Sequence, residues 1–493
     1  MSKSQRTRAA NAEKKMLRAE REAHAEKQGK IRKITAIVTS SVIGVFVAAV
    51  IIATAAYSIR MNSGGYLRNR TAASSADIDV DGAVMSYYFN DVYNTFVEYY
   101  GSYVSYYGLD TSLSLKSQKM SDGQTWFDYF MSGAKSNVEG ILALNEAAKA
   151  DGVTLSGDEI NAISTRSDKT DTGLYGRGVK RNDIFNAKTL EALAYKYQFM
   201  KQEEFTPTED EIDAGYKASP EKYQAISYYS YDFTWSNETD GDGIVTKENA
   251  KASADKLAEA TGINRFRVEL KALLKEASPE ASDDDIESSL EKRLTSDAYY
   301  SSADDGFSEW AFGGAAVGDT KVIEHEGSSK YTVYMLASEP VRDESRTVNV
   351  RHILLTSDEW GSAEKAKAQA EKLLEQWKSG DMTEESFALL ALAYSADAGS
   401  YYNGGLYENV TEGRMVASFN DWCFDESRQP GDTEIVETTY GYHVMYFVGD
   451  GLDQWQSLVA DSIISGKFTE FNSQIKEKYP VAFDDTVLED IPA

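Results

Sequence analysis

The sequence predicts an α+β protein of several domains: an N-terminal transmembrane helix, a helical domain, two tandem β-α-α-α-β modules and a C-terminal helix. Three observations predict this. An uncharged apolar run, ITAIVTSSVIGVFVAAVIIATAAYSI, occupies residues 34–59. Beyond it the hydrophobic spacing is helical to about residue 222 and then alternates as strands do. From there the chain also repeats itself, FSEWAF at 307–312 returning as FNDWCF at 419–424 and GDTKVIE at 318–324 as GDTEIVE at 431–437. At 493 residues and 42% hydrophobic content the chain has room for roughly three cored domains of ~150 residues each.

Residues 1–33 carry eleven Lys/Arg against four Glu, a local +7 in a chain of formal charge −28, so the remainder stands at −35. The apolar run that follows exceeds the ~20 residues needed to cross a hydrocarbon core. Arg32 and Lys33 close its basic side and Arg60 marks the other end. The positive-inside bias then makes 1–33 a basic cytoplasmic tail and 34–59 a signal-anchor, with everything after residue 60 on the extracytoplasmic side of the cell membrane. Cleavage is the alternative, since ATAA at 53–56 offers the small residues that signal peptidase accepts. The run is nevertheless longer than the usual h-region of about 7–15 residues, and its n-region is very long, so retention is expected. The only cysteine, Cys423, leaves no internal disulfide and no lipid-modified N-terminal cysteine. An acidic exterior argues against nucleic acid as a partner.

Residues 60–79, rich in Gly, Ser and Asn at their start, read as a linker. The helical domain is expected over 80–222. Its first helix spaces Tyr88, Val92, Phe96, Tyr99 and Tyr103 along one face, WFDYFMSGAKSNVEGILALNEAAKADG (126–152) and KTLEALAYKYQFMKQEE (188–204) supply two more, and Thr208 with Glu211 forms a capping box. The abundant tyrosine has two readings: a helix core, or an exposed aromatic surface for unfolded chains, for which Tyr gives large contact area with few rotors to freeze.

The two modules are expected over 223–342 and 343–452, followed by a C-terminal helix and tail over 453–493. Each opens on a strand, AISYYSYDFTW at 225–235 and VNVRHILL at 348–355, and closes on one, TVYML at 332–336 and HVMYF at 443–447. In the second module Ser362 caps a helix with Ala366, Ala370, Leu373 and Trp377 on one face, ended by Gly380. TEESFALLALAYS (383–395) is a second helix, followed by the turn NGGL and a short helix around RMVASFNDWCF.

These pieces resemble a known family, the parvulin-type peptidyl-prolyl cis-trans isomerases. VRHILL, FALLALAYSAD, NGGL, RMVASF and GDTEIVETTYGYHVMYF stand in family order and spacing over about 343–450. The wider layout of anchor, SurA-N-like helical domain, tandem modules and C-terminal helix is similar to the extracytoplasmic PrsA/SurA-type foldases. In parvulins a histidine on the first strand and one on the last face each other beneath the active site, and the resemblance assigns these to His352 and His443. It assigns Asp397 to the Cys or Asp after the second helix, Leu406, Met415 and Phe419 to the hydrophobic shelf under the proline ring, and Thr438 to a hydroxyl near the last strand. The chain departs from the family at NGGLY, 403–407, where many members have an acidic residue before the leucine and a glycine after it.

The chemistry so implied needs no cofactor, metal or nucleophile. Rotation about an Xaa-Pro bond meets a barrier near ~20 kcal/mol because amide resonance is lost. A pocket that grips the ring, sheds water and holds the twisted carbonyl suffices. A histidine on a strand is more often a satisfied core residue, Met415 and Phe419 at i, i+4 can be plain core, and Asp397 can be a cap. Two of only four histidines falling on both family positions favours the site.

The first module has Thr332 where the second has His443, and no histidine on its first strand, so it is expected to be a degenerate, parvulin-like binding or spacer module. Glu238, Asp240, Asp242 and Gly243 have the spacing of half a Ca²⁺ loop, but Asn249 stands at the twelfth position, and an acidic turn is expected. SDDDIESS at 282–289 reads as a solvated face. The expected function is a membrane-anchored isomerase and foldase acting on unfolded or newly secreted chains with Xaa-Pro bonds. The alternatives are a holdase that only binds, and a structural surface protein.

Overall fold

The computed structural model describes Ile52 and residues 64–236, 245–301 and 306–493. All of the expected membrane span but Ile52, and most of the expected acidic turn at 238–245, lie outside the described residues. Among the described residues no helix is long and apolar enough to cross a membrane.

In chain order the elements are α1 (Gly65–Arg68), β1 (Thr71–Ser74), β2 (Asp79–Asp81), α2 (Gly82–Tyr100), α3 (Trp126–Ala150), α4 (Gly157–Lys169), α5 (Arg181–Phe205) and α6 (Glu209–Ala218). The next stretch holds β3 (Gln224–Thr234), α7 (Lys247–Ala258), α8 (Ile263–Ala277), α9 (Asp283–Glu291), β4 (Leu294–Tyr299), α10 (Phe307–Phe312), β5 (Thr320–His325), β6 (Lys330–Leu336) and β7 (Val341–Arg342). The last comprises β8 (Arg346–Leu355), α11 (Ser357–Trp360), α12 (Ala363–Ser379), α13 (Glu384–Tyr394), β9 (Leu406–Thr411), α14 (Ala417–Cys423), β10 (Thr433–Thr438), β11 (Gly441–Asp453), α15 (Gln454–Lys478), β12 (Ala482–Phe483) and α16 (Asp485–Leu488).

These elements form two compact units, one of the described residues up to 138 with 171–187 and 482–493, the other of 139–170 and the described residues of 188–481. The helical stretch expected as one domain over 80–222 is therefore divided between them. In the first unit the described part of the expected linker is structured: β1 is the middle strand of a three-stranded sheet, β12-β1-β2, with Leu67, Ala72, Ala73 and Val80 buried. The partners that order it are remote in sequence. Arg70 Nη1 pairs with Asp490 Oδ2 at 3.0 Å, and Arg68 Nε with Asp183 Oδ1 at 2.8 Å. α2 starts on the Asp81 side chain, which accepts from the backbone N–H of Ala83 and Val84. The tyrosines divide by position: Tyr87 and Tyr88 of α2 are core, whereas Tyr99 near its end and Tyr103 and Tyr106 in the 3₁₀ turn that follows are 80%, 70% and 88% exposed, so the helix expected to carry Tyr103 stops at Tyr100.

The second unit holds two antiparallel sheets of matching order, β4-β3-β6-β5 and β9-β8-β11-β10, with β7 added beside β3. Register matches as well. Ile323 pairs Thr332 in the first and Val436 pairs His443 in the second, each within its GDT motif strand pair. The expected β-α-α-α-β order needs correction, since each module has three helices after its first strand, then a strand (β4 or β9) before a further short helix, and a hairpin partner before the last strand. LYENVT, which forms β9, buries only Val410, too little alternation to read as a strand. The acidic run at 282–289 is a helix, α9, with a Ser282–Asp285 capping box and Ile286 and Leu290 buried beneath its solvated face.

The sheet of the second module is covered on both faces. Val348, Val350, Met445 and Phe447 pack against Phe419 and Trp422 of α14. Ile353, Leu355 and Val444 pack against Leu373 and Trp377 of α12 and Phe387 of α13. Strand alternation thus sends His443, Met445 and Phe447 toward α14.

Candidate active site

β8 and β11 are antiparallel neighbours, and their register sets Met445 opposite His352 and His443 opposite Leu354. All four side chains share the face beneath α14, so the two imidazoles meet diagonally. Their Nδ1 atoms are 3.1 Å apart and their rings stack at 5.2 Å and 25°. His352 is 2% exposed and His443 5%, so each must find its hydrogen-bond partners within the protein.

Asp397 follows the end of α13. Its Oδ2 lies 3.1 Å from His352 Nε2, accepts from Tyr407 OH at 3.0 Å, and accepts from Ser400 Oγ. Burial alone would raise this carboxyl, but the hydrogen bonds from His352, Ser400 and Tyr407 outweigh it and hold Asp397 well below the usual carboxylate range. Tyr407 moves the other way, pushed well above an ordinary phenol by burial and by the Asp397 charge, so it stays a donor.

An ionised Asp397 only accepts, and with uncharged imidazole rings this sets one direction for the whole chain. His352 donates from Nε2 to Asp397, leaving Nδ1 to accept from His443 Nδ1. His443 Nε2 then accepts from Thr438 Oγ1 at 2.9 Å, and Thr438 Oγ1 accepts from the Tyr440 backbone N–H at 3.1 Å. Burial, followed by repulsion from His352, pushes His443 down to about 3.

Phe419 stands edge-on to both histidines, at 5.5 Å from His352 and 5.3 Å from His443. Met415, partly buried, packs on the same cluster. The structure therefore brings His352, Asp397, His443, Thr438, Met415 and Phe419 together. It does not bring Leu406: this residue pairs with Arg351, on the opposite face of the sheet, and lines a separate cleft with Arg351 and Phe199. Tyr407, the next residue, takes the face beneath α14. It occupies the position at which the chain departs from the parvulin pattern, and that departure was the one available signal for its role. Ser400 carried no signal, since its contact with Asp397 is made by the fold of the intervening turn.

The NGGL turn is explained by close approach. Gly405 has φ +77°, and a Cβ there would lie 2.2 Å from His352 O. Its own carbonyl accepts from the His352 N–H at 2.8 Å, so the turn fixes the backbone of the first histidine.

Residues 333–449 match the PPIC-type PPIASE domain. The PPIC-type domain thus contains every residue of the cluster, in agreement with the parvulin resemblance of the five motifs. Outside comparison by family, the chain is 37% identical over 109 residues to the Chaperone SurA of Pseudomonas syringae pv. tomato, covering 22% of this chain and 24% of that protein. It is 31% identical over 129 residues to Foldase protein PrsA 1 of Listeria innocua, covering 26% and 37%. The chain spans about a quarter of the length of the first SurA relatives it matches. A crystal structure of the peptidylprolyl isomerase PrsA from Bacillus anthracis is 12% identical over 48% of this chain and 87% of its own, with a TM-score of 0.20, too low for an argument from shape.

Proposed function

We propose that the protein is a membrane-anchored, extracytoplasmic peptidyl-prolyl cis-trans isomerase and foldase that acts on Xaa-Pro bonds of unfolded or newly secreted chains. The observation that carries this reading is the one-directional chain Thr438–His443–His352–Asp397 lying under Phe419 and Met415 within the PPIC-type domain. The proline ring would rest on Met415 and Phe419, over a floor that includes His443, whose burial keeps its imidazole uncharged. A dry apolar seat favours the twisted amide, whose nitrogen has lost resonance, over the planar and better-solvated ground state. The anchor rests on the apolar run at 34–59 and its flanking charge.

The first module of the unit is proposed as a degenerate copy with a spacer or binding role. By register Ser230 stands at the position of His352, Thr332 at that of His443 and Tyr334 at that of Met445. Tyr334 stacks on Phe307 at 4.2 Å, and Thr332 Oγ1 donates to Asp232 Oδ1 at 2.6 Å, so no imidazole pair is built on this face.

Isomerisation of a proline peptide by the full chain tests the reading. A rate above background is expected, removed by His443→Ala combined with Met415→Ala, and a wild-type rate equal to background would sink it. A holdase reading is favoured by one observation, the exposed Tyr99, Tyr103 and Tyr106. It requires that suppression of client aggregation survive the same double substitution and fail when these tyrosines are replaced by serine.

A further inference from the structure

The loop that carries Asp397 and Ser400 is held from outside the PPIC-type domain. α13 ends at Tyr394 without a basic residue in its last turn, leaving its terminal carbonyls to be satisfied by other partners. Arg166, on α4, supplies one. Its Nε donates to Leu392 O at 2.7 Å, its Nη2 donates to Ser395 O at 2.6 Å and reaches Ala391 O at 3.4 Å, and its guanidinium lies 3.8 Å over the Tyr401 ring. The cation at a helix C-terminus is favoured by the helix dipole as well as by the bonds themselves.

The gripped segment leads straight into the site. Ser395 Oγ accepts from the backbone N–H of Leu354 at 3.1 Å and of Asp397 at 3.2 Å, and Ala396 N donates to Leu354 O at 2.8 Å. Asp397 O accepts from Tyr401 N at 3.1 Å, so the ring that Arg166 covers closes the same turn. A second hold comes from α5: Tyr402 OH donates to Glu191, and Tyr195 stacks on the Tyr402 ring at 4.6 Å and 15°.

We propose that Arg166, seconded by Glu191 and Tyr195, is a positioning residue for the isomerase, setting the Asp397–Ser400 turn against His352 from the helical part of the unit. The proposal rests on the function proposed above. It makes the helices α4 and α5 part of the active machinery, and implies that catalysis responds to anything that loosens α4 from α13.

The test uses the full chain with Arg166→Ala and Arg166→Lys. A misplaced Asp397 costs orientation, and misplacement on the order of 1 Å lowers rates by up to about 100-fold. The expected result for Arg166→Ala is a fall in kcat/KM of at least about tenfold, with the Kd for a proline peptide nearly unchanged because Met415 and Phe419 are untouched. The hydrogen-bonded imidazole N–H signals of His352 and His443 in the NMR spectrum should shift or broaden. Arg166→Lys keeps the charge but not the two-point donation, and should recover part of each effect. It also decides the matter if Arg166→Ala fails to fold. Activity within about twofold of wild type together with unaltered imidazole signals would overturn the proposal. A wild-type chain without isomerase activity overturns the functional reading instead, and the imidazole signals then decide the role of Arg166 alone.

Discussion

Acidification should destabilise the PPIC-type domain through His443, and the size of the effect follows from its burial. In the unfolded chain this imidazole titrates at its ordinary value of 6.5, whereas in the fold burial and His352 push it down to about 3. Between these values the unfolded chain holds a proton that the folded chain does not, so stability rises with pH and is lost as pH falls. From pH 7 to pH 5 the unfolded residue goes from mostly neutral to almost fully charged, and the integrated loss is about 2 kcal/mol. Asp397 adds to the loss in the same direction, but only as pH falls below its unfolded value of 3.8, because its folded-state value is lowered. The two windows are therefore separable. Amide hydrogen exchange of β8 and β11 at both pH values, read as opening free energy in wild type and in His443→Gln, isolates the histidine. Wild type should lose about 2 kcal/mol more than the variant between pH 7 and pH 5. Equal losses in the two would refute the assignment of a buried, neutral His443.

Three further outcomes are expected. Tyr407→Phe removes one of three donors to a buried carboxylate and should cost on the order of 1 to 3 kcal/mol in unfolding free energy, with a measurable fall in kcat/KM; unchanged stability would mean that Tyr407 does not hold Asp397. Gly405→Ala places a Cβ on the His352 carbonyl at a positive φ and should cost well over about 1 kcal/mol, seen as lost protection of β8 amides; a normally protected variant would show that the turn can shift. Installing both histidines in the first module, as Ser230→His with Thr332→His, in a chain silenced by His443→Ala, should restore no isomerisation, since Phe307 and Tyr334 stack on that face; recovered activity would show that the first module retains a usable pocket.

How much of this was legible in sequence depended on how local the cause was. The strand pair, its alternation and its histidines could be read because a β-strand's faces follow from a period of two, and Thr438, His443 and Met445 lie within one hairpin. Asp397 was legible through its motif, and its contact to His352 required only that α13 pack on β8. The same reasoning misplaced Leu406, because a turn decides which of two successive residues faces inward, and the NGGLY turn delivers Tyr407. The described part of the expected linker failed for a similar reason: its strand is built by partners more than 400 residues away, such as Asp490 for Arg70.

By itself, then, the sequence determined the strand pair that carries the histidines, the longer helices and most of the residue types of the site, which follow from short-range periodicity, caps and motif spacing. Only the tertiary structure decided which ring nitrogens meet along Thr438, His443, His352 and Asp397, because those contacts are made across strands. The fold likewise recruited Ser400, Tyr407 and Arg166. Each reaches the site through a turn or a helix end whose position depends on packing between segments far apart in the chain, and no local pattern encodes that distance.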